Sequence, residues 1–349
     1  MTFKLYVDGP RWRAHTGAVV ARTPGIVPVM KGNGYGYGRA FLAAEAARLD
    51  VDTVAVGEAH EVASVRDGGY QGDILVLMPY LPGVDAPPPG RPDPDDLVVR
   101  TVAGLDSLDA LRGHRVVVEL LSSMRRFGLS DDEVDRLPKV LDAVQLQGFA
   151  LHLPLVDGEV SRVAEAQNAI TRLRLAGLPV RAFWVSHLSA GELAELGAAN
   201  PDVSVRARIG TRLWLGDPGA TQARGTVLAV HRLRRGDRYG YRQRRAPRSG
   251  HLVVVSGGTS HGVALSAPTP AVGLTQRAKT VAIGGLEAVG RSLSPFTIGG
   301  TQRWFAEPPH MQVSMLWLPD DGPAPAVGSE LVAEVRMTTC CFDEVVVED

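Results

Sequence analysis

A lysine at the end of an apolar run is the first residue of this chain that could do chemistry. Lys31 follows the apolar segment Ile26–Met30 and opens a glycine-rich stretch, VPVMKGNGYGYG. An apolar run bounded by glycines predicts a strand that ends in a loop. A lysine in a partly desolvated, electropositive position loses its proton more easily and can then act as a nucleophile. On spacing alone, however, a glycine-rich turn with a solvated lysine is the better interpretation.

Other phosphate-binding loops and several classes of partner do not fit the sequence. A Walker A loop needs Ser or Thr after its lysine, where Gly32 stands, and a dinucleotide fingerprint needs a glycine at Tyr37. The net charge of -1 gives no reason to expect a nucleic-acid or membrane-surface partner. The adjacent Cys340 and Cys341 offer neither a disulfide framework nor zinc spacing. Without a signal-like start or a long apolar run, we expect a cytoplasmic protein with no metal site.

The elements that would position Lys31 alternate between β-rich and helical segments over the first 216 residues. Alanine- and leucine-rich stretches at helical spacing lie between most of the strands, for example Ala40–Leu49, Glu58–Asp67 and Glu159–Leu175. The predicted strands are Ile26–Met30, Thr53–Gly57, Asp73–Met78, Leu97–Thr101, Arg115–Leu121, Gln147–His152, Ala182–Ser186 and Val203–Arg208. This α/β pattern predicts a TIM (β/α)8 barrel, with a doubly wound sheet as the alternative. In a barrel, Lys31 would stand at the catalytic face, where the strands end.

The remainder of the chain predicts a second, all-β domain. Composition changes near Gly216–Gly225, and we place the boundary between residues 217 and 218. Beyond it, helical periodicity fades and Gly/Pro-rich loops separate the candidate strands. These are Val227–His231, Arg238–Arg242, His251–Val255, Thr280–Ile283, Met311–Trp317 and Leu331–Met337. The predicted domains are therefore residues 1–217 and 218–349.

The segment around Lys31 resembles the cofactor signature of alanine racemases, Val-Val-Lys-Ala-Asn-Ala-Tyr-Gly-His-Gly. Lys31, Asn33, Tyr35, Gly36 and Gly38 match this signature. The resemblance covers nearly the whole chain and implies a fold-type III enzyme that depends on pyridoxal 5'-phosphate. It also implies that Lys31 carries the cofactor as a Schiff base and that Tyr35 hydrogen-bonds its phosphate.

Three further segments resemble the family in the same order along the chain. SMRRFGL at 123–129 maps Arg126 onto the arginine that contacts the cofactor's ring hydroxyl and the substrate carboxylate, which suits a guanidinium fork. GFALHL maps His152 onto the histidine over the cofactor ring, and SHLSAGEL maps Ser189 onto a phosphate-binding serine. Without the resemblance, these residues would be a loop arginine, a structural histidine and a helix N-cap.

A fourth segment, VRARIGTRLW at 205–214, resembles the family's eighth strand. The resemblance implies that Arg208 faces the pyridine nitrogen and that the backbone of Gly210 and Thr211 holds the phosphate. A guanidinium only donates hydrogen bonds and stays protonated, so a pyridine nitrogen beside it must accept and remain neutral. A neutral ring is a weak electron sink, which favours proton exchange at Cα over transamination or elimination.

Two segments of the second domain resemble parts of the family site. RRGDRYGYRQ at 234–243 resembles the segment that ends in the second catalytic base; our register assigns this role to Tyr241, and a shift by two would assign it to Tyr239. PPHMQVSML implies that the backbone of Met311 lies near the substrate carboxylate. In the family the tyrosine crosses from the partner subunit, which implies a homodimer with shared active sites.

The chain departs from the family around the substrate. Glu119 stands where a lysine usually braces the substrate arginine, and Gln312 replaces an aspartate. Thr259 aligns with one entrance tyrosine, and the second is missing near Arg336–Met337. These changes leave the cofactor residues intact, so they predict a substrate larger or more polar than alanine.

The resulting hypothesis is a pyridoxal-phosphate-dependent amino-acid racemase that exchanges the Cα proton with two bases, Lys31 and Tyr241. A related decarboxylase is one alternative; such enzymes carry a glutamate against the pyridine nitrogen, which Arg208 argues against, and a late catalytic cysteine, which Cys340 and Cys341 leave open. A catalytically inactive pyridoxal-phosphate-binding protein is the other, although those are usually single-domain.

Overall fold

Residues 2–85, 97–265, 292–320 and 322–349 are described by a computed structural model. Their contacts define two units. The barrel unit contains Ala14–Gly34 and Gly38–Gly216, and the β unit contains Met1–Arg13, Tyr35–Tyr37 and Asp217–Asp349. The contact-defined β unit thus includes N-terminal residues that the sequence assigned to the first domain, and the boundary at 217/218 stays a prediction.

The described elements alternate in the barrel unit and are mostly strands in the β unit. The strands are β1 (Phe3–Asp8), β2 (Ile26–Pro28), β3 (Thr53–Val56), β4 (Asp73–Val76), β5 (Val98–Val102), β6 (Arg115–Leu120), β7 (Gln145–Leu151), β8 (Ala182–Ser186), β9 (Ser204–Ile209), β10 (Thr221–Leu233), β11 (Arg238–Tyr239), β12 (Arg244–Arg245), β13 (Gly250–Ser256), β14 (Leu293–Ile298), β15 (Thr301–Phe305), β16 (Val313–Pro319), β17 (Glu330–Ala333) and β18 (Glu344–Glu348). The α-helices are α1 (Gly9–Ala21), α2 (Arg39–Arg48), α3 (Val62–Asp67), α4 (Asp106–Ala110), α5 (Asp131–Arg136), α6 (Arg162–Leu175), α7 (Ala190–Ala199) and α8 (Thr211–Trp214).

The eight strands of the barrel unit are parallel and follow the order β2-β9-β8-β7-β6-β5-β4-β3. The two outer strands meet through a parallel bridge between Val29 and Ala55, and the Met30 N–H donates to the Ala55 carbonyl at 2.8 Å. Because β2 and β3 stand at the two ends of the strand order, this contact closes the sheet. The closure rules out the doubly wound sheet and confirms the TIM-type barrel. The interior is packed with buried side chains from successive strands: Val27, Val29, Ala55, Leu75, Val99, Val117, Ala150 and Trp184.

The β unit is built around one eight-stranded sheet in the order β13-β16-β15-β14-β17-β10-β1-β18. Its strand pairs are antiparallel apart from β1 with β18. Buried Phe3, Val253, Phe296 and Leu316 lie in its core. The predicted all-β character is therefore confirmed, although β1, β14, β15 and β18 were not predicted. The predicted strand Thr280–Ile283 lies outside the described residues.

Two predicted strands are wrong over most of their length. The predicted strand Leu331–Met337 ends at Ala333, where β17 ends. Strand was expected over Arg238–Arg242, but β11 ends at Tyr239 and pairs with β12 as a short hairpin. Gly240 has a φ of 71° and Gln243 a φ of 49°, and the Gln243 N–H donates to the Gly240 carbonyl at 3.1 Å. This left-handed turn chemistry ends the strand, so Tyr241 lies at the hairpin tip.

Candidate functional site

Lys31 stands at the carboxyl end of β2, as its position in the sequence predicts. It retains solvent access, and the absence of a side chain at Gly57 leaves room for its Cβ. The pKa of Lys31 is lowered from its ordinary value, first by desolvation and then by the cations Arg126 and Arg208, while Glu61 opposes the shift. Destabilising the ammonium form favours the neutral amine, which is the nucleophilic state of a lysine.

Glu61 is a site residue that the sequence analysis missed. Its buried carboxylate accepts hydrogen bonds from the Gly32 N–H at 2.8 Å and the Gly57 N–H at 2.7 Å. Arg39 donates to the Gly32 carbonyl and lies 3.4 Å from the Glu61 carboxylate. One carboxylate therefore ties the loop after Lys31 to the end of β3. The helical stretch around Glu61 carries no signal that separates it from solvent-facing glutamates.

Arg208 on β9 presents a buried donor without an acceptor. One terminal nitrogen donates to the Leu151 carbonyl at 2.9 Å, whereas Nε has no hydrogen-bond partner among the described residues. Burial lowers the pKa of Arg208, and Glu119 opposes that shift. Leaving a buried donor unpaired costs about 1–3 kcal/mol, and a ligand that supplied an acceptor here would remove this cost.

Glu119 and Arg126 are linked by the loop that follows β6. The Leu129 N–H donates to the Glu119 carbonyl at 2.9 Å, which folds the loop back onto the strand. Gly128 permits this approach, because a Cβ there would collide with the Leu120 carbonyl. Burial raises the pKa of Glu119, while Arg208 and then Arg126 oppose the shift. The buried carboxylate thus acts on both arginines.

His152 follows β7 and is held as a neutral ring. The Leu153 N–H donates to Ser186 Oγ at 3.3 Å, and Ser186 Oγ lies 3.0 Å from His152 Nδ1. Burial, then Arg208 and Arg126, lowers the pKa of His152 to about 3. A hydroxyl that already accepts one hydrogen bond can donate to Nδ1, which leaves the ring proton of His152 on Nε2.

His187 is a second histidine at this end of the barrel, and the sequence analysis did not name it. Its ring meets that of His152 edge-on, with centroids 5.1 Å apart, and its φ is 62°. Arg162 donates to the His187 carbonyl at 2.7 Å and contacts Glu192 at 3.2 Å. Arg162 therefore braces the strained loop between β8 and α7.

Ser189 caps α7 in a reciprocal arrangement. Its Oγ accepts the Glu192 N–H at 3.3 Å, and its own N–H donates to the Glu192 carboxylate at 2.7 Å. The backbone N–H of Ser189 is thus committed to the cap, and hydrogen bonds from the side chain and backbone of Ser189 lower the pKa of Glu192.

The turn after β9 is anchored to the strand that precedes Lys31. The Gly210 carbonyl accepts the N–H groups of Leu213 and Trp214, which starts α8 at Thr211. Trp214 Nε1 donates to the Val29 carbonyl at 2.7 Å. The backbone around Gly210 and Thr211 is therefore held rigidly relative to β2.

Four of the candidate site residues named from the sequence lie in the β unit: Tyr35, Tyr239, Tyr241 and Met311. The buried Tyr35 has a left-handed φ of 55°. Tyr241 is 83% exposed and Met311 72% exposed. Tyr239 is half-buried, and its hydroxyl donates to the Ala306 carbonyl at 3.3 Å. The Tyr239 hydroxyl is already used in a hydrogen bond, whereas the Tyr241 side chain is exposed. This difference favours the register that assigns the second base to Tyr241.

In the barrel unit, the structure gathers Lys31, Arg126, His152, Ser189, Arg208, Gly210 and Thr211 at the carboxyl ends of the parallel strands. The charges of Arg126 and Arg208 lower the pKa values of both Lys31 and His152, so these four groups belong to one electrostatic environment. Three cations face two carboxylates, Glu61 and Glu119, while both histidines have lowered pKa values. The cations outnumber the carboxylates, so this group of residues suits an anionic ligand.

In the described parts of the chain, no helix is long and apolar enough to cross a membrane. Within the same residues, no group of three or more His, Cys, Asp or Glu side chains is arranged to hold a metal ion.

These features define a class of protein: a closed parallel β/α barrel with a cationic site at its strand ends, accompanied by an antiparallel β unit. The family model for the alanine racemase N-terminal domain matches residues 8–218. The chain belongs to the alanine racemase family.

Known relatives agree with this assignment at low identity. The chain is 29% identical over 162 residues to an alanine racemase of Symbiobacterium thermophilum, a match covering 45% of this chain and 41% of the relative. It is 28% identical over 228 residues to one of Nitratidesulfovibrio vulgaris, covering 59% and 56% respectively. The chain thus matches about half the length of these curated relatives.

Solved structures share the fold over a longer span. The alanine racemase of Streptomyces lavendulae superposes with a TM-score of 0.69 at 17% identity, covering 100% of this chain and 97% of that one. The Bartonella henselae alanine racemase, which holds covalently bound pyridoxal phosphate, gives 0.69 at 15% identity and covers 100% of both chains.

Proposed function

We propose that this protein is a pyridoxal-phosphate-dependent amino-acid racemase. The observation that carries the proposal is the buried Arg208 Nε, a donor without an acceptor among the described residues, close to a strand-end lysine whose pKa is lowered. Pyridoxal phosphate offers an aldehyde for Lys31 and a ring nitrogen that can accept from Arg208. Its phosphate suits the Ser189 hydroxyl, Tyr35 and the backbone of Gly210 and Thr211.

When bound, the cofactor supplies delocalisation of the negative charge that develops at Cα as the proton leaves. Lys31 removes or returns the proton on one face of Cα, and Tyr241 does so on the other. Arg208 only donates hydrogen bonds, so it would leave the ring nitrogen of the bound cofactor unprotonated. This would limit delocalisation and disfavour reactions other than proton exchange. Arg126 binds the substrate carboxylate together with the Met311 backbone. Glu119 braces Arg126 and offsets the charge of Arg208.

The proposal includes a homodimer in which Tyr241 of one subunit serves Lys31 of the other. Tyr241 and Met311 are exposed in the β unit, and Leu155 and Val156, in the loop after β7, are 74% and 73% exposed. A second copy would cover these apolar side chains, in keeping with the isologous contacts of two-fold dimers.

The substrate we propose is larger or more polar than alanine. Thr259 stands where relatives of this type narrow the entrance with a tyrosine, and it is exposed in a short 3-10 turn, Thr259–His261. A methylene added to the substrate changes selectivity by about 1–3 kcal/mol at most, so we expect broad rather than sharp specificity.

The test is a screen of all amino acids for deuterium uptake from solvent at Cα, with loss of optical activity and release of carbon dioxide followed in parallel. We expect Cα exchange with racemisation for at least one amino acid, and none with Lys31→Ala. Carbon dioxide release without racemisation would identify a decarboxylase. Bound cofactor without exchange of any amino acid would identify a binding protein.

A further inference from the structure

A buried carboxylate and a histidine lie directly behind the exposed Tyr241. Glu307 is only 3% exposed, and its Oε2 accepts the Tyr241 backbone N–H at 3.0 Å. Its Oε1 lies 2.7 Å from His310 Nε2. The His310 ring packs on the Tyr241 ring, with centroids 4.5 Å apart and planes tilted by 39°. One carboxylate therefore holds both the backbone of the tyrosine and the ring on which it lies.

The backbone around this cluster is shaped for the contact. Gly240 has a φ of 71°, and a Cβ at this position would collide with the Glu307 carboxylate. His310 is anchored on both sides, because its N–H donates to the Val313 carbonyl and its carbonyl accepts the Thr259 N–H, each at 2.9 Å. The hairpin tip can approach Glu307 only because residue 240 lacks a side chain. The two backbone hydrogen bonds of His310 hold that residue in place when the hairpin tip moves.

The chemistry of the cluster fixes its hydrogen bonds. An ionised carboxylate only accepts, so the proton between Glu307 and His310 is carried by Nε2 of the imidazole. Burial makes this charge-assisted contact strong and leaves Glu307 dependent on its two donors. The Tyr241 hydroxyl itself makes no hydrogen bond to any described residue, so the His310 ring and the Glu307 contact are what restrict its side chain.

We propose that Glu307 and His310 are positioning residues that hold Tyr241 in the orientation needed for proton transfer. This inference rests on the proposed role of Tyr241 as the second base. A ring with two free torsions at a hairpin tip would sample many directions, and a displacement of about 1 Å can cost about a hundredfold in rate. The pair reduces that freedom before the substrate and the second subunit are in place.

The experiment compares proton exchange of the two enantiomers in deuterated buffer, using the cofactor-loaded dimer. His310→Ala and Glu307→Ala should slow the Tyr241-dependent exchange at least about tenfold and leave the Lys31-dependent exchange within about twofold. His310→Phe keeps a ring against Tyr241, and Glu307→Gln keeps one acceptor, so both should retain more activity than the alanine variants. His231→Phe, an exposed histidine of the same unit, is the matched control.

Two further measurements separate positioning from general destabilisation. In a Tyr241→Phe background, neither substitution should slow exchange further. Amide hydrogen exchange of the Tyr241 peptide should accelerate in Glu307→Ala, even without cofactor, because its acceptor is lost. Equal loss for both enantiomers, a further loss in the Tyr241→Phe background, or unchanged exchange in the two alanine variants would overturn the inference. If Tyr241→Phe itself affects neither enantiomer selectively, the role of Tyr241 in the proposed function fails as well.

Discussion

The strand ends of the barrel unit and the hairpin tip of the β unit present their candidate site residues in opposite ways. Arg208 and Glu119 are buried, and His152 is fixed by a serine hydroxyl, so this region is rigid and short of one acceptor. Tyr241 is exposed, and only its backbone and one ring face are held. The barrel site is thus suited to bind a small anionic ligand, whereas the hairpin tip is suited to contact the surface of another subunit.

The largest effect should come from removing the lysine. Lys31→Ala should reduce racemisation by several powers of ten, in both directions, because no other lysine of the described residues stands at this strand end. Lys139→Ala, an exposed lysine of the same unit, should leave the rate unchanged. Borohydride reduction of the wild type followed by peptide mapping should find the cofactor on the Lys31 peptide, and its recovery on another lysine would contradict the assignment.

The next largest effect compares the two regions directly, because it separates proton exchange through Tyr241 from exchange through Lys31. Tyr241→Phe should retain the cofactor and nearly abolish deprotonation of one enantiomer, while exchange of the other through Lys31 partly persists. Tyr239→Phe is the control, since its hydroxyl is bound to Ala306. An inactive Tyr239→Phe beside an unaffected Tyr241→Phe would show that the register is off by two.

The sharing of sites between subunits has its own test. Mixing inactive Lys31→Ala and Tyr241→Phe subunits should create heterodimers in which one of the two sites is intact. Random exchange of equal amounts makes about half of the dimers heterodimers, so about a quarter of the wild-type activity should be recovered. A mixture that stays inactive after confirmed subunit exchange would mean that each subunit uses its own tyrosine or none.

A smaller effect concerns the charge balance at Lys31. Arg126 lowers the pKa of Lys31 and Glu61 raises it. Arg126→Gln should therefore shift the pH midpoint for reaction of the cofactor-free enzyme with an aldehyde upward, and Glu61→Gln should shift it downward. Reaction rates measured against pH give both midpoints, and shifts in the same direction would contradict this electrostatic account.

The smallest effect is a pH dependence of stability. The pKa of His152 is about 3 in the folded protein, below the ordinary value of 6.5. Between these two pKa values His152 is protonated in the unfolded chain and neutral in the folded chain. The folded state therefore loses stability as the pH falls from about 6.5 toward 3. One proton corresponds to at most about 1.4 kcal/mol per pH unit, and partial exposure of His152 reduces this value. His152→Gln should flatten the curve in denaturant titrations; an unchanged slope would assign the effect elsewhere.

Patterns among residues that are close in the sequence were sufficient to predict the barrel and to name candidate residues of its site. Parallel strands buried on both faces are short runs of Val, Ile and Ala between loops, and all eight could be found in this way. Lys31 and Arg208 follow from segments whose order along the chain resembles one family. The sequence therefore determined the kind of barrel and the family, and it predicted the residues that would hold a cofactor.

Only the tertiary structure decided what depends on contacts between distant segments. The strand β1 pairs with β10, which lies more than two hundred residues later in the sequence. No local pattern predicts such a partner. Glu61, His187 and the pair Glu307–His310 look like ordinary polar residues until their burial and hydrogen bonds are known. The unpaired Nε of Arg208 is likewise a property of its surroundings. Periodicity and motifs are set by neighbours along the chain, whereas desolvation and hydrogen bonding are set by neighbours in space.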